Sequence, residues 1–131
     1  MIADYKHWVV LLRPAQATLG SLILGAKGDW VAFSQIPPQA FAELADITHS
    51  IETGLRNFSA YDKINYLMLM MVDPHVHFHV IPRYAKPQRF AGVEFADAGW
   101  PGQPNLAAAT ATSPEIQARL RDELRRHWPT N

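Results

Sequence analysis

The stretch Pro74-His75-Val76-His77-Phe78-His79-Val80-Ile81-Pro82 sets histidine against apolar residues in strict alternation. In an extended strand, side chains repeat with period two. The alternation therefore predicts His75, His77 and His79 on one face and Val76, Phe78 and Val80 on the other. The apolar face is suited to a core. The imidazole face is suited to proton, phosphate or metal chemistry, because imidazole changes charge nearest neutral pH.

The flanking sequence predicts the partners of this strand. Ile64 to Val72 is a nearly continuous apolar run, and Asp73-Pro74 follows it as a turn. We read the run as a strand that pairs antiparallel with the histidine strand in a tight hairpin. Further upstream, Trp8 to Leu12 reads as a buried strand stopped by Arg13-Pro14. Ser21 to Leu24 reads as a second strand after Gly20, and Gly25 to Asp29 as a turn. Pro37-Pro38 opens the longest helical pattern. Phe41, Leu44, Ile47, Ile51 and Leu55 recur at spacings of three and four, and the pattern ends near Asn57.

Beyond Pro82 the texture changes. Arg83 to Asn105 is rich in proline and glycine, with Phe90, Val93, Phe95 and Trp100 as anchors. This predicts an ordered excursion over the surface. Ser113 as N-cap, with Pro114 at the first helical position, opens a last helix whose stripe is Ile116, Leu120 and Leu124, continued by Trp128. The order of elements predicts an α+β domain with a mostly antiparallel sheet, one long helix and a C-terminal helix. A single domain covers residues 1–131. Its core is about 1–85, and 86–131 carries the excursion and the last helix.

Composition bounds the function. With 48% hydrophobic residues, the 131-residue chain has enough apolar material for one core. Twelve Lys and Arg balance twelve Asp and Glu, so no basic excess points to nucleic acid. The chain has no cysteine, which excludes disulfides, thiolate catalysis and cysteine-ligated zinc. The longest apolar stretch, Tyr66 to Val72, is too short to span a bilayer. The N-terminus shows no basic region followed by an apolar run, so no signal peptide is expected and the cytoplasm is the expected compartment.

Three chemistries fit the histidines. One imidazole attacks a phosphoryl centre while its neighbours hold the nonbridging oxygens. Alternatively, two or three imidazoles bind a transition metal, with Asp73, His7 or His49 as a further ligand. In the third reading the histidines are structural or serve binding alone. Elsewhere, His7, His49 and His127 read as solvated or partly buried. Met68, Met70 and Met71 read as core packing. The arginines of the last helix, interleaved with Glu115, Asp122 and Glu123, read as a solvated face.

His75-Val76-His77-Phe78-His79-Val80-Ile81 resembles the signature of the histidine triad family of nucleotide hydrolases and transferases at every position. The preceding order of elements is similar to that family's α+β sheet. The resemblance implies cleavage at the α-phosphate of a nucleoside phosphate derivative, with His77 as nucleophile, His79 on phosphate oxygens and His75 orienting the site. It implies no cofactor, no metal in the hydrolytic step, a small nucleotide substrate and a homodimer, with no nucleic acid or membrane partner. Arg83, following the triad, is expected either to reach a phosphate or to cap the strand end as a surface arginine. Arg13 falls near the usual ribose-binding position, and Ser21 takes the place after Gly20 where many members have a further histidine. Met70 to Pro74 stands where many active members carry Gly-Gln-Ser or Gly-Gln-Thr. That replacement motivates an alternative reading, a nucleotide-binding module with weak turnover.

Overall fold

The computed structural model describes residues 1–130. Strands β1 (Ala3–Asp4), β2 (Trp8–Leu12) and β3 (Leu22–Ala26) come first, followed by the long helix α1 (Pro38–Phe58). Then come β4 (Lys63–Leu67), β5 (His77–Arg83), the hairpin β6 (Gln88–Phe90) and β7 (Val93–Phe95), and helix α2 (Pro114–His127). The main sheet runs β1-β2-β3-β5-β4, and every neighbouring pair is antiparallel. The architecture is the expected α+β arrangement.

Register divides the sheet into two chemically different faces. Trp8, Val10, Leu12, Leu22, Leu24, Ala26 and Val80 are all buried, and α1 supplies Ala40, Ile47, Ile51 and Leu55 to the same core. The indole Nε1 of Trp8 donates to the Ala40 carbonyl at 2.8 Å, which satisfies a polar atom that burial would otherwise leave unpaired. Helix α2 adds Leu120 and Leu124. Its start is as expected, with the Ser113 hydroxyl accepting from the Ile116 amide. No helix among the described residues is long and apolar enough to cross a membrane.

Three local expectations are corrected. The apolar run does not stay a strand to Val72: β4 ends at Leu67, and residues 68–76 form a connection in place of a tight turn. Gly25 and Ala26 are not a turn. They continue β3, with Gly25 opposite both Val9 and His77. His75 is not on the strand, which begins at His77. The cause is visible in the backbone. The Val76 amide bonds the Trp30 carbonyl and the Val76 carbonyl accepts from Ala26, so this segment pairs with the β3 side and not with β4.

Candidate active site

In an antiparallel pair, directly opposed residues share a face. Leu11 lies opposite Ile23, and Val9 opposite Gly25. Ile23 lies opposite His79, and Gly25 opposite His77. Leu67 meets His79 from β4. The face away from α1 therefore carries His77 and His79 beside a row of aliphatic side chains. Over it opens a cavity of about 600 Å³, lined also by Arg13, Leu69 to Asp73, His75 and Leu106. Gly25 contributes to its depth. A Cβ there would meet only Val9 Cγ1, at 3.7 Å, so the missing side chain leaves open room directly opposite His77.

Hydrogen bonds assign the ring protons of two histidines. A carbonyl oxygen can only accept. The His75 Nε2–H therefore donates to the Ala26 carbonyl at 2.6 Å. The His77 Nδ1–H donates to the His75 carbonyl at 2.5 Å. In a neutral imidazole this leaves the lone pair of His77 on Nε2. His75 thus leaves the strand but keeps a positioning role. Its ring anchors to β3, and its backbone carbonyl orients His77.

His79 stands edge-on to His77, with ring centroids 5.1 Å apart. Burial, then the charges of Arg13 and His77, push its pKa below the ordinary histidine value. Its Nδ1 is buried without a hydrogen-bond partner. Arg13 has its own pKa lowered by burial, yet a guanidinium stays cationic at neutral pH. One of its nitrogens donates to the Ala15 carbonyl at 2.7 Å.

The other two expected substrate contacts lie elsewhere. Ser21 is fully buried, its hydroxyl donating to the Thr18 carbonyl at 2.8 Å and accepting from the Thr18 amide at 3.0 Å. It shapes the turn into β3. Arg83 shares the sheet face of His77 but is six residues further along β5, roughly 20 Å at strand rise. Its guanidinium is committed to Asp97, at 2.6 and 3.1 Å, and to Asn65 at 2.7 Å. It borders a second cavity with Lys63, Asn65 and Trp100.

Met70 to Asp73 lie in the stretch that the sequence sets in place of Gly-Gln-Ser, whereas Val9, Leu11, Ile23, Gly25, Leu69 and Leu106 are not singled out by it. The odd-numbered positions of β2 and β3 were the available signal, but only pairing register puts them beside the histidines. Among the described residues, no three His, Asp or Glu side chains converge to hold a metal ion.

This fold is that of the histidine triad proteins. A histidine triad protein from Bradyrhizobium japonicum matches with a TM-score of 0.77 at 22% identity, covering 97% of this chain and 88% of that one. One from Sinorhizobium meliloti matches at 0.76 and 21%, covering 96% and 87%. A hypothetical histidine triad nucleotide-binding protein from Sulfolobus tokodaii matches at 0.70 and 18%, covering 96% and 80%. No family model matches the sequence, and no curated protein matches it.

Proposed function

We propose that this protein is a nucleotide hydrolase or nucleotidyl transferase that cleaves at the α-phosphate through a covalent intermediate on His77. The observation that carries the reading is the bond from His77 Nδ1 to the His75 carbonyl, which leaves the Nε2 lone pair on a cavity-lining imidazole. The Sulfolobus tokodaii protein of the same fold, described as a hypothetical nucleotide-binding protein, agrees with this substrate class.

The step runs as follows. Nε2 attacks the α-phosphorus, and the bond to the leaving group breaks with its electron pair. The leaving group takes a proton from solvent. Water then attacks phosphorus, the P–N bond breaks back to Nε2, and the water's spare proton returns to solvent. The carbonyl of His75 supports the positive charge that His77 acquires on attack. Of the expected substrate contacts, Arg13 and His79 line the cavity and are assigned to the phosphate, whereas Ser21 holds the turn at Thr18 and Arg83 holds the Asp97 and Asn65 side chains.

The test is turnover of adenosine 5′-phosphoramidate with mass spectrometry of the quenched protein. A nucleotidyl adduct on His77 and a loss in His77→Ala on the order of 10³-fold or more are expected. Wild-type turnover by His77→Ala would overturn the reading. The apolar Leu69–Val72 segment favours a second reading, a nucleotide-binding module with weak turnover. Calorimetry with AMP and ADP distinguishes it by binding without hydrolysis. We also assign a homodimer, for which the open backbone edge of β4 is a suitable seam. Sedimentation at micromolar concentration tests it.

A further inference from the structure

We infer that the site selects nucleoside monophosphate derivatives whose leaving group is apolar, and that the 69–73 segment is the wall that selects it. This rests on the proposed reaction at His77. An in-line displacement needs two flanking spaces at the α-phosphate, one for the nucleoside and one for the departing group. The cavity has two flanks, and both are aliphatic. The sheet flank presents Val9, Leu11 and Ile23, and the loop flank presents Leu69, Met71 and Val72. Whichever flank takes the base, the leaving group meets hydrocarbon.

The charge of the lining agrees. Apart from the histidines, its ionisable side chains are Arg13 and Asp73, whose formal charges cancel. A polyphosphate leaving group would bring several negative charges to a cavity with one permanent cation. Unpaired charges withdrawn from water are strongly disfavoured.

The loop flank carries the larger unused apolar surface. Leu69, Met71 and Val72 are 50%, 83% and 102% exposed, although they border a cavity. Met70 between them adopts a left-handed backbone, φ 53°, and packs back against the core. That conformation is costly for a residue with a Cβ. It anchors the segment while its neighbours stand free at the cavity rim. Aliphatic side chains held in this way gain burial when something apolar lies between them and the histidines.

The experiment compares kcat/KM of the full chain on adenosine 5′-phosphoramidates of methylamine, butylamine and hexylamine, and on diadenosine triphosphate. Selectivity should rise with chain length, by up to roughly fourfold for each methylene fully buried. Diadenosine triphosphate should be the poorest substrate. In a Met71→Ser, Val72→Ser double variant the hexyl-to-methyl ratio should fall toward one. Because the ratio is taken within each protein, a difference in folded fraction cancels. Turnover with a flat ratio in the wild type, or a ratio unchanged in the variant, overturns this inference and leaves the His77 reaction standing. Absence of turnover and of a nucleotidyl adduct with every compound overturns both.

Discussion

At the scale of single residues, the proposed reaction turns on which ring nitrogen carries a proton and on one absent side chain. Gly25 is the second of these. Its strand neighbours would accept a β-branched residue, since a Cβ finds only ordinary contact with Val9, and glycine in a strand is conformationally unfavourable. Gly25→Val should therefore keep or slightly raise the melting temperature. It should also lower kcat/KM by tenfold or more, by filling the space opposite His77. A steady-state assay beside a thermal melt checks the split. His79 yields a pH effect whose sign follows from its lowered pKa. On unfolding, the imidazole returns to the ordinary value of 6.5. Below that pH the unfolded chain takes up a proton that the folded chain still refuses, so folding weakens. The stabilisation is complete above 6.5 and declines below it until the folded protein is protonated as well. Urea titrations at pH 7.5 and 5.5 should accordingly show a larger loss in the wild type than in His79→Asn.

Among the elements, the helices show where local rules yield to packing. Gly54 lies inside α1, where alanine would ordinarily be better by about 1 kcal/mol. A Cβ there would stand 2.6 Å from Cε3 of Trp128, a contact that forces the indole to move. Trp128 caps α2, and its Nε1 donates to the Tyr5 hydroxyl at 2.9 Å. Gly54→Ala should thus destabilise the protein by about 1–2 kcal/mol, the overpacking cost exceeding the helical gain. Equilibrium urea unfolding measures this. The two helices were legible in the sequence because capping and 3.6-residue periodicity are local signals. The histidine strand was legible because its alternation is also local. The end of β4 was not. Tyr66 to Val72 is apolar throughout, and pattern alone cannot reveal that the strand beyond Leu67 loses its partner once residues 75–76 bond to Trp30 and Ala26. The same long-range bonds hold His75 off the strand and set its carbonyl where the local bond from His77 Nδ1 fixes the tautomer of His77.

The whole molecule depends on how the chain after β5 is fastened to the sheet that carries the site. The sequence offers Arg83 as a phosphate ligand because an arginine after the triad suits an anion. The anion it meets is Asp97, two residues beyond β7, and the two side chains are only 5% and 1% exposed. Asp97 also accepts from the amides of Tyr84 and Gly99, at 3.2 and 3.3 Å. One carboxylate therefore ties the end of β5 to the start of the segment that crosses above β4 and leads on to Leu106 at the cavity rim. Removing one partner of a buried pair leaves the other charge uncompensated and costs about 3–5 kcal/mol. That is a large share of the roughly 5–15 kcal/mol that holds a domain of this kind folded. Asp97→Asn should lower stability by about that amount in urea and expose residues 86–112 to limited proteolysis before the sheet yields. Replacing both partners, as Arg83→Met with Asp97→Leu, removes the stranded charge but not the two amides that Asp97 satisfied. Its stability should lie between the wild type and the single variant. If Arg83 instead served the phosphate directly, the double variant would lose turnover even where it remains folded. With Arg83 in a fastening role, turnover per folded molecule should track the integrity of the Leu106 wall and recover along with stability.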